Sequence, residues 1–306
     1  MITVVGSLNM DLVTYTSRMP VAGETILGRS FRQIPGGKGA NQADGIAKLG
    51  AKVKMIGCVG CDEMGDILLK SLKNDGVDVE MVKRVEGIST GIASISVDAS
   101  GNNSIIVVPG ANYKLSIEDI LASDDVIQKS DVVVAQLEVP IETVKHAMNT
   151  AKQMGKLTIL NPAPAVALED EFLSAVDILV PNNTELELLS GVQINNQDDL
   201  ECAAQVLLNK GVRELIVTLG SKGCIHINKH GLKAYPAYKV QAVDTTGAGD
   251  SFIAAFAVAI SEGKNFEDAI LFATAVGALT VTKEGAQSSL PRREEVEAFI
   301  ETVNLN

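Results

Sequence analysis

The chain has 306 residues, of which 46% are hydrophobic, and can bury the core of one large or two ordinary domains. Its net charge of −12 and its lack of a lysine or arginine cluster argue against nucleic-acid or anionic-membrane surfaces, because both require phosphate neutralisation. Its first residues lack a basic signal segment, and its longest uncharged apolar run (252–260) is far shorter than the ~20 residues that span a bilayer, so we expect a soluble, cytoplasmic protein.

Short runs rich in β-branched residues recur along the chain, with helical patterns between several of them. The strand candidates are ITVVGSL (2–8), KVKMIGCV (52–59), DVVVAQL (131–137), KLTILNP (156–162), VDILVPN (176–182) and ELIVTLG (214–220). The helix candidates include GDILLKSL (65–72), PIETVKHAMNTAKQMG (140–155) and DLECAAQVLLNKG (199–211). Apolar strands linked by helices are typical of a mostly parallel sheet covered on both faces. The sequence therefore predicts a single α/β domain over residues 1–306.

Two segments, residues 11–37 and 90–110, break this alternation. Both alternate apolar with polar residues, and DASGNN (98–103) in the second predicts the turn of a hairpin. We expect the two segments to pair as a small separate sheet that forms a lid over one edge of the main domain. An exposed apolar face on this lid would also support a homodimer.

Two of the four cysteines, Cys58 and Cys61, form the motif CVGC between a strand pattern and a helix pattern. This placement resembles a thioredoxin-type redox pair. However, no other redox feature flanks the motif, and Cys202 and Cys224 stand alone, so paired motifs provide no four-cysteine zinc site. We interpret the pair as reduced structural thiols, with a redox or metal role as the alternative.

Two glycine-rich stretches precede helical patterns: PGGKGANQADGIAKLGA (35–51) and VDTTGAGDSF (243–252). Neither fits the nucleotide fingerprints GxxxxGK[ST] or GxGxxG. In the second stretch, we expect residues 247–249 to form a turn and Asp250 to stand at the entrance of the helix SFIAAFAVAI (251–260). The unpaired amides of a helix start favour an anion, which would then lie beside a carboxylate. The alternative is that Asp250 only caps the helix.

The two glycine-rich stretches, with several shorter motifs in the same order, resemble the ribokinase-like (PfkB) family of sugar and nucleoside kinases. The shorter motifs are GSLNMDL (6–12), LNPAPA (160–165), PNNTE (181–185), VTLGSKG (217–223) and KEGAQSSLP (283–291). The resemblance runs from end to end. Within this family, the match is best to members that phosphorylate D-ribose at O5 with ATP.

The resemblance implies that Asp250 is the general base that takes the proton from the sugar hydroxyl. The amides of Gly247, Ala248 and Gly249 would hold the charge that develops on the transferred phosphoryl group. Phosphoryl transfer depends mainly on positioning and electrostatic stabilisation, so a carboxylate beside an anion hole meets its requirements.

The resemblance also implies which residues bind the ligands. The sugar hydroxyls would be bound by Asn9, Asp11, Gly37, Lys38, Gly39, Asn41, Glu138 and Asp250. ATP would lie along Thr218, Leu219, Gly220, Ser221, Lys222, Gly223, Gly249 and Thr274. Mg²⁺ and its water shell would be organised by Asn182 and Glu185, whose oxygen atoms suit this ion. An activating K⁺ would be held, mostly through backbone carbonyls, by Asp244, Thr246, Thr280, Lys283, Gly285 and Ser289.

Without the resemblance, Asn9 and Asp11 read as turn residues and Glu138 as an exposed charge. Two alternatives to the ribose kinase stay open. A kinase of the same family would act on deoxyribose, fructose or a nucleoside, but a nucleoside base calls for stacking partners, and only 4% of residues are aromatic, with no tryptophan. A non-catalytic sugar-binding protein of the same fold would need neither Asp250 nor an anion hole.

Overall fold

The computed structural model describes residues 1–304, which contain thirteen strands and eleven α-helices. The strands are β1 (Ile2–Val5), β2 (Asn9–Tyr15), β3 (Ser30–Gly36), β4 (Val53–Gly60), β5 (Val82–Val85), β6 (Gly91–Val97), β7 (Asn103–Val108), β8 (Val132–Ala135), β9 (Leu157–Leu160), β10 (Ile178–Leu179), β11 (Glu214–Thr218), β12 (Cys224–Asn228) and β13 (Gly231–Tyr235). The helices are α1 (Lys38–Lys48), α2 (Glu63–Asn74), α3 (Ile117–Leu121), α4 (Asp124–Gln128), α5 (Ile141–Gln153), α6 (Asp170–Ser174), α7 (Asn183–Ser190), α8 (Gln197–Asn209), α9 (Ala248–Ser261), α10 (Phe266–Thr280) and α11 (Arg293–Asn304).

The main sheet has nine strands in the order β13-β12-β11-β10-β9-β8-β1-β4-β5. The seven strands from β11 to β5 pair in parallel, whereas β12 and β13 add an antiparallel ribbon at one edge. All six strand candidates lie in this sheet. The predicted mostly parallel α/β fold is confirmed, while β5 and the β12–β13 ribbon were not foreseen.

Helices cover both faces of the main sheet. Along β8, Val132 and Val134 pack into one apolar cluster with helices α1, α2, α9, α10 and α11, while Val133 and Ala135 pack into a second cluster with α3 to α8. Successive side chains of a strand point to opposite faces, so a strand buried on both sides must be apolar throughout. This is why the parallel strands appear as continuous apolar runs.

Helix α9 lies in the interior, in contact with α1 and α10, and every residue from Asp250 to Ala259 is buried. A helix that is apolar all round is stable only when it is surrounded by protein. The helix begins at Ala248, after Gly247 in a left-handed conformation with φ of 77°. The expectation that residues 247–249 form a turn before the helix is therefore wrong, because Ala248 and Gly249 already belong to its first turn, in which Asp250 also lies.

A second, four-stranded sheet has the order β3-β2-β6-β7 and is called the small sheet below. Strands β2 and β6 pair in parallel, while β2–β3 and β6–β7 are antiparallel pairs, the latter joined through the predicted turn at residues 98–103. The expected small separate sheet is confirmed, although residues 16–29 of the first segment form no strand. Within residues 1–304, every helix is too short or too polar to span a bilayer.

Candidate active site

The sequence motifs meet at the carboxyl edge of the main sheet. Ser7 follows β1, Glu138 follows β8, Asn161 follows β9, Asn182 follows β10 and Leu219 follows β11. In open α/β sheets, ligands bind outside the carboxyl ends of the strands. Parallel pairing therefore brings motifs that are far apart in the sequence into one site.

Two glycines allow helix α1 to approach the turn between β1 and β2. A Cβ atom on Gly37, whose φ is 92°, would lie 2.6 Å from the backbone nitrogen of Asn9. A Cβ atom on Gly39 would lie 2.6 Å from the backbone nitrogen of Ser7. Only residues without a side chain fit such contacts. The first turn of α1 is thus fixed directly against the residues that follow β1.

The carboxylate of Asp250 is buried and held by two amide side chains of α1. Asn41 Nδ2 donates to Asp250 Oδ2 at 2.9 Å, and Gln42 Nε2 donates to Asp250 Oδ1 at 3.0 Å. Asp250 is only 8% exposed. Both carboxylate oxygens therefore have fixed directions, which a residue that merely capped its own helix would not require.

Four charged side chains surround the polar pocket next to Asp250. Burial, together with the charges of Glu138 and Asp250, raises the pKa of the Asp11 carboxyl to about 7 against the opposing effect of Lys38. Burial also disfavours the charge on Lys38, but the surrounding carboxylates, Asp250 and Glu138 foremost, outweigh it and raise the pKa of the ammonium group. These couplings place Asp11, Lys38, Glu138 and Asp250 in one electrostatic unit.

The remaining polar contacts of this pocket fix its walls. Glu138 Oε2 accepts hydrogen bonds from Ser7 Oγ at 2.5 Å and from the backbone nitrogen of Lys38 at 3.3 Å. Asn9 Oδ1 accepts from Asn112 Nδ2 at 2.7 Å. Asn9 lies within β2 and is the first residue of that strand, so it is not a turn residue. Ser7 and Asn112 were not foreseen.

Asn182 and Glu185 form a reciprocal capping box at the start of α7. Glu185 N donates to Asn182 Oδ1 at 2.9 Å, while Asn182 N and Nδ2 donate to the Glu185 carboxylate at 2.8 and 2.9 Å. Burial raises the pKa of Glu185. The hydrogen bond from the Asn182 backbone amide and the charge of Lys38 oppose this increase only in part. Asn182 and Glu185 thus cap α7, and the oxygen atoms of the pair also suit a hydrated Mg²⁺.

A cleft of about 420 Å³ lies beside the start of α9 and is lined there by Ala248, Gly249 and Phe252. Of the residues expected to contact ATP, six line it and two, Leu219 and Lys222, do not. The six are Thr218, Gly220, Ser221, Gly223, Gly249 and Thr274. Its apolar wall comes from Tyr238, Val240, Phe252, Ala278 and Val281, which sequence reasoning missed. Tyr238 and Val240 were missed because no motif marks residues 236–242. The lining of the cleft is mostly apolar, which suits a nucleoside base.

Free backbone amides lie between the cleft and Asp250. Within residues 1–304, the N–H groups of Gly247, Gly249 and Asp250 have no hydrogen-bond partner, whereas that of Ala248 donates to the Thr245 carbonyl at 3.3 Å. Free amides at a helix N-terminus attract an anion. Of the three amides expected to form an anion hole, those of Gly247 and Gly249 are free and that of Ala248 is not, while the Asp250 amide is also free.

Some of the residues expected at a K⁺ site are in direct contact. Asp244 Oδ1 accepts from Thr246 N at 2.9 Å and from its hydroxyl at 2.7 Å, and Asp244 Oδ2 accepts from Gly285 N at 2.9 Å. Thr280 ends α10, Lys283 and Ser289 follow in the next loop, and the Lys283 ammonium pairs with Glu295 at 2.6 Å. Asp244 therefore joins the turn before α9 to the loop after α10.

The motif CVGC does not have the features of a reactive pair. Cys58 is buried in β4 and Cys61 is exposed just before α2, and both are free thiols. Burial raises the pKa of the Cys58 thiol to about 12, which suppresses the thiolate. Among the described residues, no group of three histidine, cysteine or acidic side chains could hold a metal ion.

A buried carboxylate near other charged side chains, with free helix amides and an apolar cleft beside it, suits phosphoryl transfer. The family model described as pfkB family carbohydrate kinase matches residues 1–293. A ribokinase of Haemophilus influenzae is 42% identical over 300 residues, which cover 98% of each chain. A deoxyribokinase of Salmonella typhi is 42% identical over 306 residues, which cover 100% of this chain and 99% of the relative.

Among solved structures, that of an Arabidopsis thaliana ribokinase complexed with ribose and ATP is similar to this chain with a TM-score of 0.92. It is 34% identical, and the match covers 98% of both chains. The chain belongs to the pfkB family of carbohydrate kinases. The family resemblance seen in the sequence motifs is confirmed.

Proposed function

We propose that this kinase phosphorylates D-ribose at O5 with ATP, giving D-ribose 5-phosphate and ADP. The observation that carries the proposal is the position of the buried Asp250 carboxylate, which is close enough to Asp11 and Lys38 to influence their pKa values and follows Gly249 of the apolar cleft directly in α9. The printed names of the Haemophilus influenzae relative and of the Arabidopsis thaliana complex support ribose and ATP as substrates.

In this proposal, Asp250 takes the proton from the ribose O5 hydroxyl as that oxygen bonds to the γ-phosphorus. The bond between the γ-phosphorus and the β,γ-bridging oxygen breaks, and ADP leaves. The free amides of Gly247, Gly249 and Asp250 hold the charge on the transferred group. When Mg²⁺ is bound, it neutralises phosphate charge, and Asn182 and Glu185 would hold its water shell.

The sugar pocket has an acceptor that needs a donor. Asn41 Oδ1 is buried and has no hydrogen-bond partner within residues 1–304, although Asn41 Nδ2 is bound to Asp250. A buried polar atom without a partner costs free energy, so such an atom is usually satisfied by water or a ligand. A ribose hydroxyl that donates to Asn41 Oδ1 would stand next to the carboxylate of Asp250.

The test is a coupled assay of ADP release with D-ribose, 2-deoxy-D-ribose, D-fructose and adenosine as acceptors. We expect kcat/KM to be highest for ribose and ADP release without a sugar to be negligible. Equal or higher kcat/KM for fructose or adenosine would refute the substrate assignment. ADP release that no acceptor stimulates would refute the catalytic assignment and leave a sugar-binding protein.

A second candidate substrate is 2-deoxy-D-ribose, favoured by the full-length similarity to the Salmonella typhi deoxyribokinase. The two sugars differ by one hydroxyl, and a site with a buried hydrogen-bond partner for that hydroxyl discriminates strongly against its loss. The ratio of the two kcat/KM values therefore decides between them. A ratio that favours deoxyribose would show that no such partner exists.

Ribose binding should depend on pH through Asp11, whose pKa is raised to about 7. Above that pH the group is an ionised acceptor for sugar hydroxyls, and below it protonation removes acceptor capacity. We expect the KM for ribose to rise about 10-fold as the pH falls from about 8 to about 6, with the KM for ATP nearly constant. Steady-state kinetics across this range measure both values.

The matched variant is Asp11→Asn, which keeps the shape of the side chain but does not titrate in this range. It should raise the KM for ribose by about 10-fold at pH ~8 and abolish the pH dependence of this KM. A variant that keeps the parental pH dependence would show that another group is responsible.

Asp11→Ala tests whether Asp11 contacts the sugar. It should raise the KM for ribose much more than the KM for ATP, and equal effects on both would place Asp11 in the scaffold.

We also propose that the small sheet acts as a lid within a single domain and that two copies form a homodimer through it. Strand β7 exposes four consecutive apolar side chains, Ile105, Ile106, Val107 and Val108, which are 44–68% exposed. Contiguous apolar surface of this kind usually marks an interface. An edge strand with such a surface would otherwise promote aggregation.

The variant Ile106→Glu should shift the chain from dimer to monomer, because it would bury a charge in the proposed interface. Light scattering after size-exclusion chromatography measures the mass. The control is Leu188→Glu on α7, where a leucine is 49% exposed away from the small sheet. A parental chain that is already monomeric, or an Ile106→Glu variant that stays dimeric, would contradict this interface.

A further inference from the structure

Gln42 is the second donor to Asp250, and its amide cannot rotate freely. It is completely buried, and its Nε2 atom lies 3.0 Å from Asp250 Oδ1 and 3.4 Å from Asn161 Oδ1. Its Oε1 atom accepts from Gln136 Nε2 at 2.6 Å. Asn161 is itself oriented, because its Nδ2 atom donates to the Val180 carbonyl at 3.2 Å. These partners require that Gln42 presents N–H, and not oxygen, to the carboxylate.

The amides connect four elements of the fold. Gln42 belongs to α1, Gln136 follows β8, Asn161 follows β9 and Asp250 lies in α9. A Cβ atom on Gly6, which follows β1, would lie only 2.0 Å from Gln136 Oε1, so Gln136 fits only because residue 6 is glycine. The carboxylate is thereby fixed relative to the strand ends that form the floor of the site, and not only to its own helix.

Asn41 and Gln42 differ in what else they are able to bind. Asn41 has one acceptor, Oδ1, that is buried and has no hydrogen-bond partner within residues 1–304, so a hydroxyl that reaches it would satisfy it. Gln42 is 0% exposed, and both of its polar atoms already have protein partners. Gln42 thus influences a reaction only through Asp250, while Asn41 is available to the sugar.

We propose that Gln42, oriented by Gln136, is the positioning residue that holds the Asp250 carboxylate in line with the sugar hydroxyl, while Asn41 is shared between Asp250 and the substrate. This inference rests on the proposed function, in which Asp250 is the general base. A carboxylate that loses one of two fixed hydrogen bonds samples directions that do not lead to proton transfer. Misplacement by about 1 Å is enough to reduce a rate greatly.

The first variant is Gln42→Met, which keeps the length and volume of the side chain but donates no hydrogen bond. We expect kcat to fall about 10-fold, with both KM values changed less than about 2-fold. A buried-polar control is Thr143→Val on α5, which removes the hydroxyl that donates to the Leu115 carbonyl at 3.0 Å. This control should keep the parental kcat, and thermal melting of both variants checks that they are folded.

A double-variant cycle distinguishes positioning from general damage to the fold. If Gln42 acts through Asp250, adding Gln42→Met to Asp250→Asn should lower kcat no further than Asp250→Asn alone. Multiplied losses would refute the proposal. If Asp250→Asn keeps a normal kcat, the assignment of Asp250 as the base fails. If Gln42→Met keeps a normal kcat but Asp250→Asn does not, only the positioning role of Gln42 fails and the assignment of the base stands.

A charged variant adds a readout that packing alone would not change. In Gln42→Glu, the new carboxyl group would lie at hydrogen-bonding distance from the carboxyl group of Asp250. Two carboxyl groups this close titrate as a coupled pair. We expect a new inflection in the pH profile of kcat that is absent from the parental protein and from Thr143→Val. A folded Gln42→Glu variant with the parental profile would overturn the proposal.

Discussion

Replacing Asp250 with asparagine is expected to lower kcat by about 10²-fold or more, with the KM values for sugar and ATP within a few-fold of the parental ones. The side chain keeps its shape but can no longer take a proton. Asn41 and Gln42 both donate hydrogen bonds to this carboxylate. The amide that replaces it has only one acceptor oxygen, so its NH₂ group would face one of these two donors. Steady-state kinetics at saturating substrates measure the loss of turnover.

A matched control for this variant exists in α10. Asp268 is the third residue of that helix, as Asp250 is of α9, but it is exposed and interacts with the cap residue Asn265. Asp268→Asn should therefore leave kcat unchanged. If Asp250→Asn keeps a near-normal kcat, or if its loss is matched by Asp268→Asn, Asp250 is not the base.

Removal of K⁺ is expected to lower turnover by about 30-fold, which is less than the loss of an anion-hole donor itself. Asp244 binds both Thr246 and Gly285, so an ion held here would set the geometry of the turn that carries the Gly247 and Gly249 amides. The ion would not contact the sugar, and the effect should appear mainly in kcat. Na⁺ should restore less activity, since carbonyl cages of K⁺ size suit it poorly.

The experiment titrates KCl at constant ionic strength with choline chloride as the balancing salt, which removes general screening as an explanation. The requirement for Mg²⁺ should be unaffected. Asp244→Asn should weaken the response to K⁺, because Asp244 is the only negatively charged residue among the expected ligands. Activity that does not change with KCl would exclude the cation site while leaving the kinase assignment intact.

The main sheet was predictable because burial on both faces leaves a local signal. Val132, Val133 and Val134 must all be apolar, so the strand is visible without knowledge of its neighbours. The buried α9 was visible for the same reason. Its start lies earlier than the pattern predicts, because only Gly247 has a positive φ and Gly249 is already helical.

The residues that were missed depend on contacts between distant segments. Asn112 reaches Asn9 across 103 positions, and Gln136 reaches Gln42 across 94 positions, so neither has a local pattern. The apolar wall of the cleft comes partly from residues 236–242, which form neither helix nor strand. Asp250, in contrast, is a candidate from the sequence alone, because its glycine-rich context is continuous in the chain.

The burial of α9 has a consequence for the evolution and engineering of substrate choice. Phe256 and its neighbours are enclosed on all sides, so substitutions there disturb the close-packed interior and cost stability. Strand β2 instead carries Asp11 and belongs to the small sheet, which joins the main domain through residues 6–8 before β2 and Gly37 after β3. New acceptor sugars should therefore be sought by varying the half-buried residues of the small sheet, while the helix that carries Asp250 stays constant.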